Sequence, residues 1–259
     1  MASPATALDR LESRVVACRA CPRLVAWREE TARTKRRAYR DEAYWGRPVP
    51  AFGDADAQLV IVGLAPAAHG GNRTGRMFTG DSSGDWLYDA LHAHGFASQA
   101  ASTGRDDGLT LRDTFITAAA RCAPPDNRPT PDEFAACRPF LIAELGLLTQ
   151  ARVIVALGAL AWEHALRAYE ARGGHVKTPR PKHGHGVEVL LEGIAGDSFA
   201  AGRPVTLLGS YHPSRQNTQT GRLTRPMLYA VFARPRDLLP ESSPRAAAMK
   251  ARTRSTSTG

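Results

Sequence analysis

Cysteine, aromatic side chains and long apolar runs are all scarce in this 259-residue chain. It holds four cysteines, and Phe, Tyr and Trp together make up 7% of it. No uninterrupted apolar run reaches the roughly 18 to 20 residues that a membrane-crossing helix needs. Residues Met1 to Leu11 mix Pro4, Asp9 and Arg10 with small residues and lack the apolar centre of a secretory signal. The expectation is therefore a soluble intracellular protein with no membrane partner, whose thiols stay reduced and need a role other than disulfides. Acidic residues are also in deficit, 25 against 34 Lys and Arg, which gives a net charge of +9. Such a charge points to a polyanionic partner held by counterion release, with a merely solvated basic surface as the alternative. The densest basic cluster is Arg33, Lys35, Arg36, Arg37 and Arg40.

What the chain has in quantity is apolar material, 43%, enough for a packed core. Four short apolar runs read as buried parallel strands: Gln58–Leu64, Asp113–Ala119, Arg152–Gly158 and Pro204–Tyr211. Helical spacing falls between and around them. It covers residues 8–30 with a break at Cys18–Cys21, a helix begun by Ser82 or Ser83, Pro131–Leu148, Ala159–Ala171 and 226–233. Strands alternating with helices imply an α/β fold, a three-layer α/β/α sandwich around a mostly parallel four-stranded sheet. Residues 173–186 read as a flexible basic loop rich in Gly, His, Lys and Pro. Residues 1–241 form a single domain, and 242–259 read as a disordered basic tail. In such sheets ligands sit beyond the carboxyl ends of the strands, so the loops after Leu64, Ala119 and Tyr211 are where chemistry is expected.

Cys18 and Cys21 form a C-x-x-C pair, and Cys122 and Cys137 lie far downstream. Together they can complete one tetrahedral thiolate set, for zinc or for a [4Fe–4S] cluster. The wide spacing of the second pair is unlike a zinc knuckle and favours the cluster, as a staple on the N-terminal segment. The segment Gly63–Asp81 is rich in glycine, which permits tight turns and close approach to a ligand. It is not a P-loop, because the Gly-Lys-Ser/Thr ending is absent. Within it Phe78 could stack on a planar base or fill the core, and Asp81 could polarise a water or cap the next helix. His212, at the end of the last strand before Pro213 and a polar loop, is well placed to donate to a bound carbonyl.

Taken in order, several segments resemble the uracil-DNA glycosylase superfamily, most closely its family 5, the type b enzymes. They are Cys18–Cys21, Trp45-Gly46-Arg47-Pro48-Val49-Pro50, Gly63–Asp81, Arg121–Thr130, Cys137 and the stretch from His212 through Thr224. The resemblance implies a [4Fe–4S] cluster on Cys18, Cys21, Cys122 and Cys137, and excision of uracil from DNA to leave an abasic site. It also implies a wider base range than classical uracil enzymes, hypoxanthine included. The partners implied are double- and single-stranded DNA containing deaminated bases, met by a monomer in the bacterial cytosol or nucleoid.

Asp81 is then the catalytic acid and His212 the donor to the uracil O2. Phe78 stacks on the flipped base, and Pro66, Ala67 and Ala68 meet its edge. Leu64 stands where family 4 carries Glu. Ala118, in Thr117-Ala118-Ala119, stands in the stretch where many superfamily members place a base-reading Asn. Arg215, Gln216, Asn217 and Arg222 belong to the loop that enters the minor groove. Two other readings remain: a strictly uracil-specific family 4-like glycosylase, and a non-catalytic iron–sulfur or zinc nucleic-acid-binding module.

Overall fold

The four apolar runs become strands that are buried almost throughout, as a sheet covered on both faces requires. A computed structural model describes residues 4–239, so the tail expected at 242–259 lies outside the described residues. Helices α1 (Pro4–Val16) and α2 (Pro22–Thr34) come first, broken at the Cys18–Cys21 pair as expected. Next come β1 (Phe52–Gly53), β2 (Leu59–Gly63), α3 (Gly71–Thr74), α4 (Ser82–Ala93) and β3 (Thr114–Ala118). The second half runs α5 (Pro131–Leu147), β4 (Val153–Leu157), α6 (Ala159–Ala171), β5 (Glu188–Leu191), β6 (Val205–Ser210), α7 (Arg215–Gln219) and α8 (Arg225–Leu238).

The strands form one sheet in the order β1-β3-β2-β4-β6-β5. β3, β2, β4 and β6 are parallel, and β1 and β5 pair antiparallel at the two edges. The mostly parallel α/β sheet is as expected, but it has six strands rather than four. The extra strands escaped the sequence because β1 is two residues long and β5 is largely exposed, so neither makes an apolar run. Alternate strand residues face opposite layers. Val60, Val62, Ile154 and Ala156 share a core with Leu141 and Leu145 of α5 and Trp162 and Leu166 of α6. Leu59, Ile61, Val153 and Val155 share another with Leu87 and Leu91 of α4 and Leu228 and Phe232 of α8. That is the three-layer sandwich.

Local signals set the helix ends. Thr130 and Glu133 form a reciprocal capping box at the start of α5, with Pro131 in the first turn. The Thr224 side chain caps α8, which outruns the expected 226–233 because Leu228, Val231, Phe232 and Pro235 keep one face buried. From β2 the chain passes to β3 on one side and later to β4 on the other. Strand order thus reverses at β2, and a ligand crevice forms off the carboxyl ends of such strands. Among the described residues no helix is long and apolar enough to cross a membrane.

Candidate active site

The chain leaves β2 at Gly63 and doubles back through a glycine-rich loop. Gly70 and Asn72 donate to the Ala67 carbonyl at 3.2 and 3.0 Å, and α3 forms a single turn. The N–H groups of Ala67, Ala68 and His69 meet no backbone acceptor among the described residues. Arg73, buried, fastens the loop. It donates to the His69 carbonyl at 2.8 Å and the Gly80 carbonyl at 3.1 Å, and it pairs with Glu42.

Phe78 sits at φ +52°, a left-handed conformation that costs a non-glycine residue on the order of 1 kcal/mol or more. The strain brings its ring against Gly63, where a Cβ would lie 2.7 Å from the Phe78 Cζ. Only glycine at the end of β2 leaves the ring that place. Asp81 follows and caps α4, its Oδ1 accepting from the Ser83 and Gly84 amides at 2.9 and 3.0 Å. Its Oδ2 turns the other way, toward Gly70, where a Cβ would lie 2.1 Å from it. The helix-cap role weighed from the sequence is thus present, and it engages one oxygen of the two. Burial pushes the Asp81 carboxyl above its ordinary range, partly offset by the two amides.

His212 arrives from β6. Its ring centroid lies 6.0 Å from that of Phe78, with the planes inclined by 32°. Burial pushes its imidazole down to about 4, so it is neutral at physiological pH, with one N–H to give. A base held between two rings needs about 7 Å, two van der Waals contacts. At 6.0 Å the gap between the Phe78 and His212 rings is too narrow to hold a base stacked between them.

The remaining expected residues are distributed unevenly. Ala118 ends β3 beside Gly63 and is 2% exposed, within the core that α4 and α8 cover. The expected loop 214–222 contains α7, capped by Ser214. Arg215 and Gln216 are exposed on it. Asn217 is turned inward, its amide donating to the His212 carbonyl at 2.8 Å. Arg222 lies 4.6 Å over the Tyr211 ring. Sequence reading missed Arg73 and the two histidines of the 173–186 loop. His183 Nε2 is 3.0 Å from the Ser210 carbonyl, and His185 Nδ1 accepts from the Tyr211 amide at 3.2 Å. Both hold the end of β6 just before His212, and nothing local in the sequence marks them for it.

The four cysteines come together. Cys18, Cys21, Cys122 and Cys137 line one small cavity with Arg28, Arg121 and Phe140. Among the described residues, no three His, Cys, Asp or Glu side chains are placed to grip a single metal ion. Burial pushes the Cys21 and Cys122 thiols up, and Cys137 to about 12. Arg28, 2% exposed, donates to Cys122 Sγ at 2.9 Å. Its Nε, and Nε and Nη1 of the buried Arg121, have no hydrogen-bond partner among the described residues.

The family model described as the uracil DNA glycosylase superfamily matches residues 50–234. A type-5 uracil-DNA glycosylase of Mycobacterium tuberculosis is 52% identical over 233 residues, covering 90% of this chain and 82% of its own length. One of Thermus thermophilus is 52% identical over 218 residues, covering 84% and 92%. A type-4 uracil-DNA glycosylase of Thermotoga maritima is 37% identical over 110 residues, covering 42% and 49%.

Proposed function

The chain belongs to the uracil DNA glycosylase superfamily, and on that premise we propose that it hydrolyses the N-glycosidic bond of uracil in DNA and leaves an abasic site for base excision repair. The observation that carries the reading is the meeting of Phe78, Asp81 and His212 at the carboxyl ends of β2 and β6. A base in duplex DNA must first be flipped out, at a cost of a few kcal/mol. Phe78 then stacks on one face of it, and the open amides of Ala67 and Ala68 meet its edge. As the glycosidic bond breaks, positive charge grows on the sugar and negative charge on the leaving base. The ionised Asp81 Oδ2 faces the sugar side, stabilises the cation and takes a proton from the attacking water. Neutral His212 donates to the uracil O2 as charge builds there, help of the kind that contributes several kcal/mol in a preorganised site.

Hypoxanthine and xanthine extend the proposed range. The contacts are stacking and backbone donors, which suit several planar bases, and Ala118 offers no side-chain amide to read one edge. Arg215, Gln216 and Arg222 would lie along the minor groove of double- or single-stranded DNA.

Cys18, Cys21, Cys122 and Cys137 would hold a [4Fe–4S] cluster. The donor set is four thiols around one cavity, and the unbonded N–H groups of Arg28 and Arg121 suit an anionic thiolate-ligated group. The cluster would supply a structural joint between the N-terminal helices and the sheet.

The test is incubation with matched duplexes carrying uracil, hypoxanthine, xanthine or thymine, followed by alkaline cleavage. Strand breaks at uracil are expected, and their absence at every base would leave a binding module instead.

A further inference from the structure

The basic cluster at 33–40 takes no part in the chemistry described so far, yet it is built against the catalytic loop. Lys35 stands at φ +53° and turns its ammonium back on its own segment, donating to the Arg40 carbonyl at 3.1 Å and the Glu42 carbonyl at 2.7 Å. These bonds close residues 35–42 into a compact unit. Tyr39 lies under the Arg73 guanidinium at 4.0 Å, and Glu42 pairs with the same arginine. Tyr44 meets His69 Nδ1 at 3.0 Å, while its hydroxyl oxygen also lies 3.4 Å from the Arg36 amide. The unit therefore rests on Arg73 and His69, the residues that shape the loop holding Asp81.

Its charges are not equivalent. Arg33 pairs with Glu30, Arg40 lies near Asp41, Arg73 holds Glu42, and Lys35 is taken up by carbonyls. Arg36 and Arg37 are exposed and pair with no carboxylate among the described residues. Burial pushes the His69 imidazole down, and the charges of Arg36 and Arg73 add to it. Two unpaired guanidiniums on a braced turn are suited to phosphate oxygens, which they bind through fixed forks of donors.

We infer that the 35–44 segment is a second DNA-contact element, in which Arg36 and Arg37 bind backbone phosphates on the side of the flipped nucleotide opposite α7. The inference rests on the glycosylase reading for its ligand. DNA then lies between two walls, with α7 on the His212 side and this turn on the Asp81 side. Phosphate contact here also presses on Tyr44 and Arg73, and so on the loop that positions Asp81.

The experiment measures binding of a short uracil-free duplex over a range of NaCl concentrations, using the full chain. Arg36→Gln with Arg37→Gln should reduce the slope of log affinity against log salt by about one per arginine removed. Arg36→Lys with Arg37→Lys should keep most of the slope. Arg10→Gln with Arg14→Gln removes the same charge from exposed positions on α1 and should leave the slope unchanged. An unchanged slope in the Arg36 and Arg37 variant, or an equal loss in the α1 variant, overturns the inference. Undamaged DNA is bound without being cut, so this result is separate from base release. If wild-type protein frees no base while the slope still falls, the glycosylase reading fails and the phosphate contact stands.

Discussion

Asp81 caps α4 and is proposed to act on the attacking water, and its substitution separates the two roles. Asn caps a helix about as well as Asp, so Asp81→Asn should keep the fold while removing the charge. Single-turnover uracil release should then fall by roughly 10², typical of losing a positioned acid or base, with little change in DNA affinity. Near-normal release would move water activation to another group. The sign of the pH dependence follows from burial. The ionised form is the active one, and Asp81 titrates above 3.8. Activity should therefore be lost as pH falls through a value above the ordinary carboxylate range, and that acid limb should vanish in Asp81→Asn. His212 adds nothing at higher pH, because it is already neutral above about 4.

Among elements, α7 divides the residues expected at the minor groove. Asn217 holds the His212 carbonyl from inside the turn, whereas Gln216 faces solvent. Asn217→Ala should lower the single-turnover rate at saturating DNA, and Gln216→Ala should mainly weaken binding; the reverse pattern would make Asn217 the groove contact. On the far side of the sheet, α1 packs against α5 with a carboxyl in the seam. Burial pushes Glu12 up to about 7, with Glu144 and Asp9 adding to it and Arg121 and Arg105 opposing. The folded state then holds a proton that the unfolded chain releases near 4.5, so stability falls as pH rises from about 4.5 through about 7. Glu12→Gln should raise Tm at pH 8 and change it little at pH 5, with a gain on the order of 1 kcal/mol after solvent screening. An equal effect at both pH values would show that the carboxyl ionises freely.

At the scale of the whole molecule, a cluster on the four cysteines would join residues 18–21 to Cys122 in the loop after β3 and Cys137 on α5. Protein purified without air should be brown, with broad absorption near about 400 nm. Chelating the iron should lower Tm and expose α1 and α2 to protease before the sheet; colourless protein carrying zinc would refute the cluster. Much of this architecture was legible in the chain itself. The four central strands are continuous apolar runs, and helix ends such as Thr130–Glu133 are written in capping residues, because both signals act over a few neighbouring positions. Asp81 and His212 stood out in the chain for a second reason: one starts a helix and the other follows a strand end, while Phe78 lies in the glycine-rich segment before Asp81. Edge strands β1 and β5 were not legible, being made by pairing with β3 and β6 rather than by their own composition. Nor was the inward turn of Asn217, the bracing of β6 by His183 and His185, or the division of arginines into buried clamps such as Arg73 and free ones such as Arg36. An arginine, histidine or asparagine side chain can face solvent or a partner equally well. Its partner is a backbone carbonyl, amide or carboxylate brought close only when separate elements pack, so tertiary structure alone decides between the two.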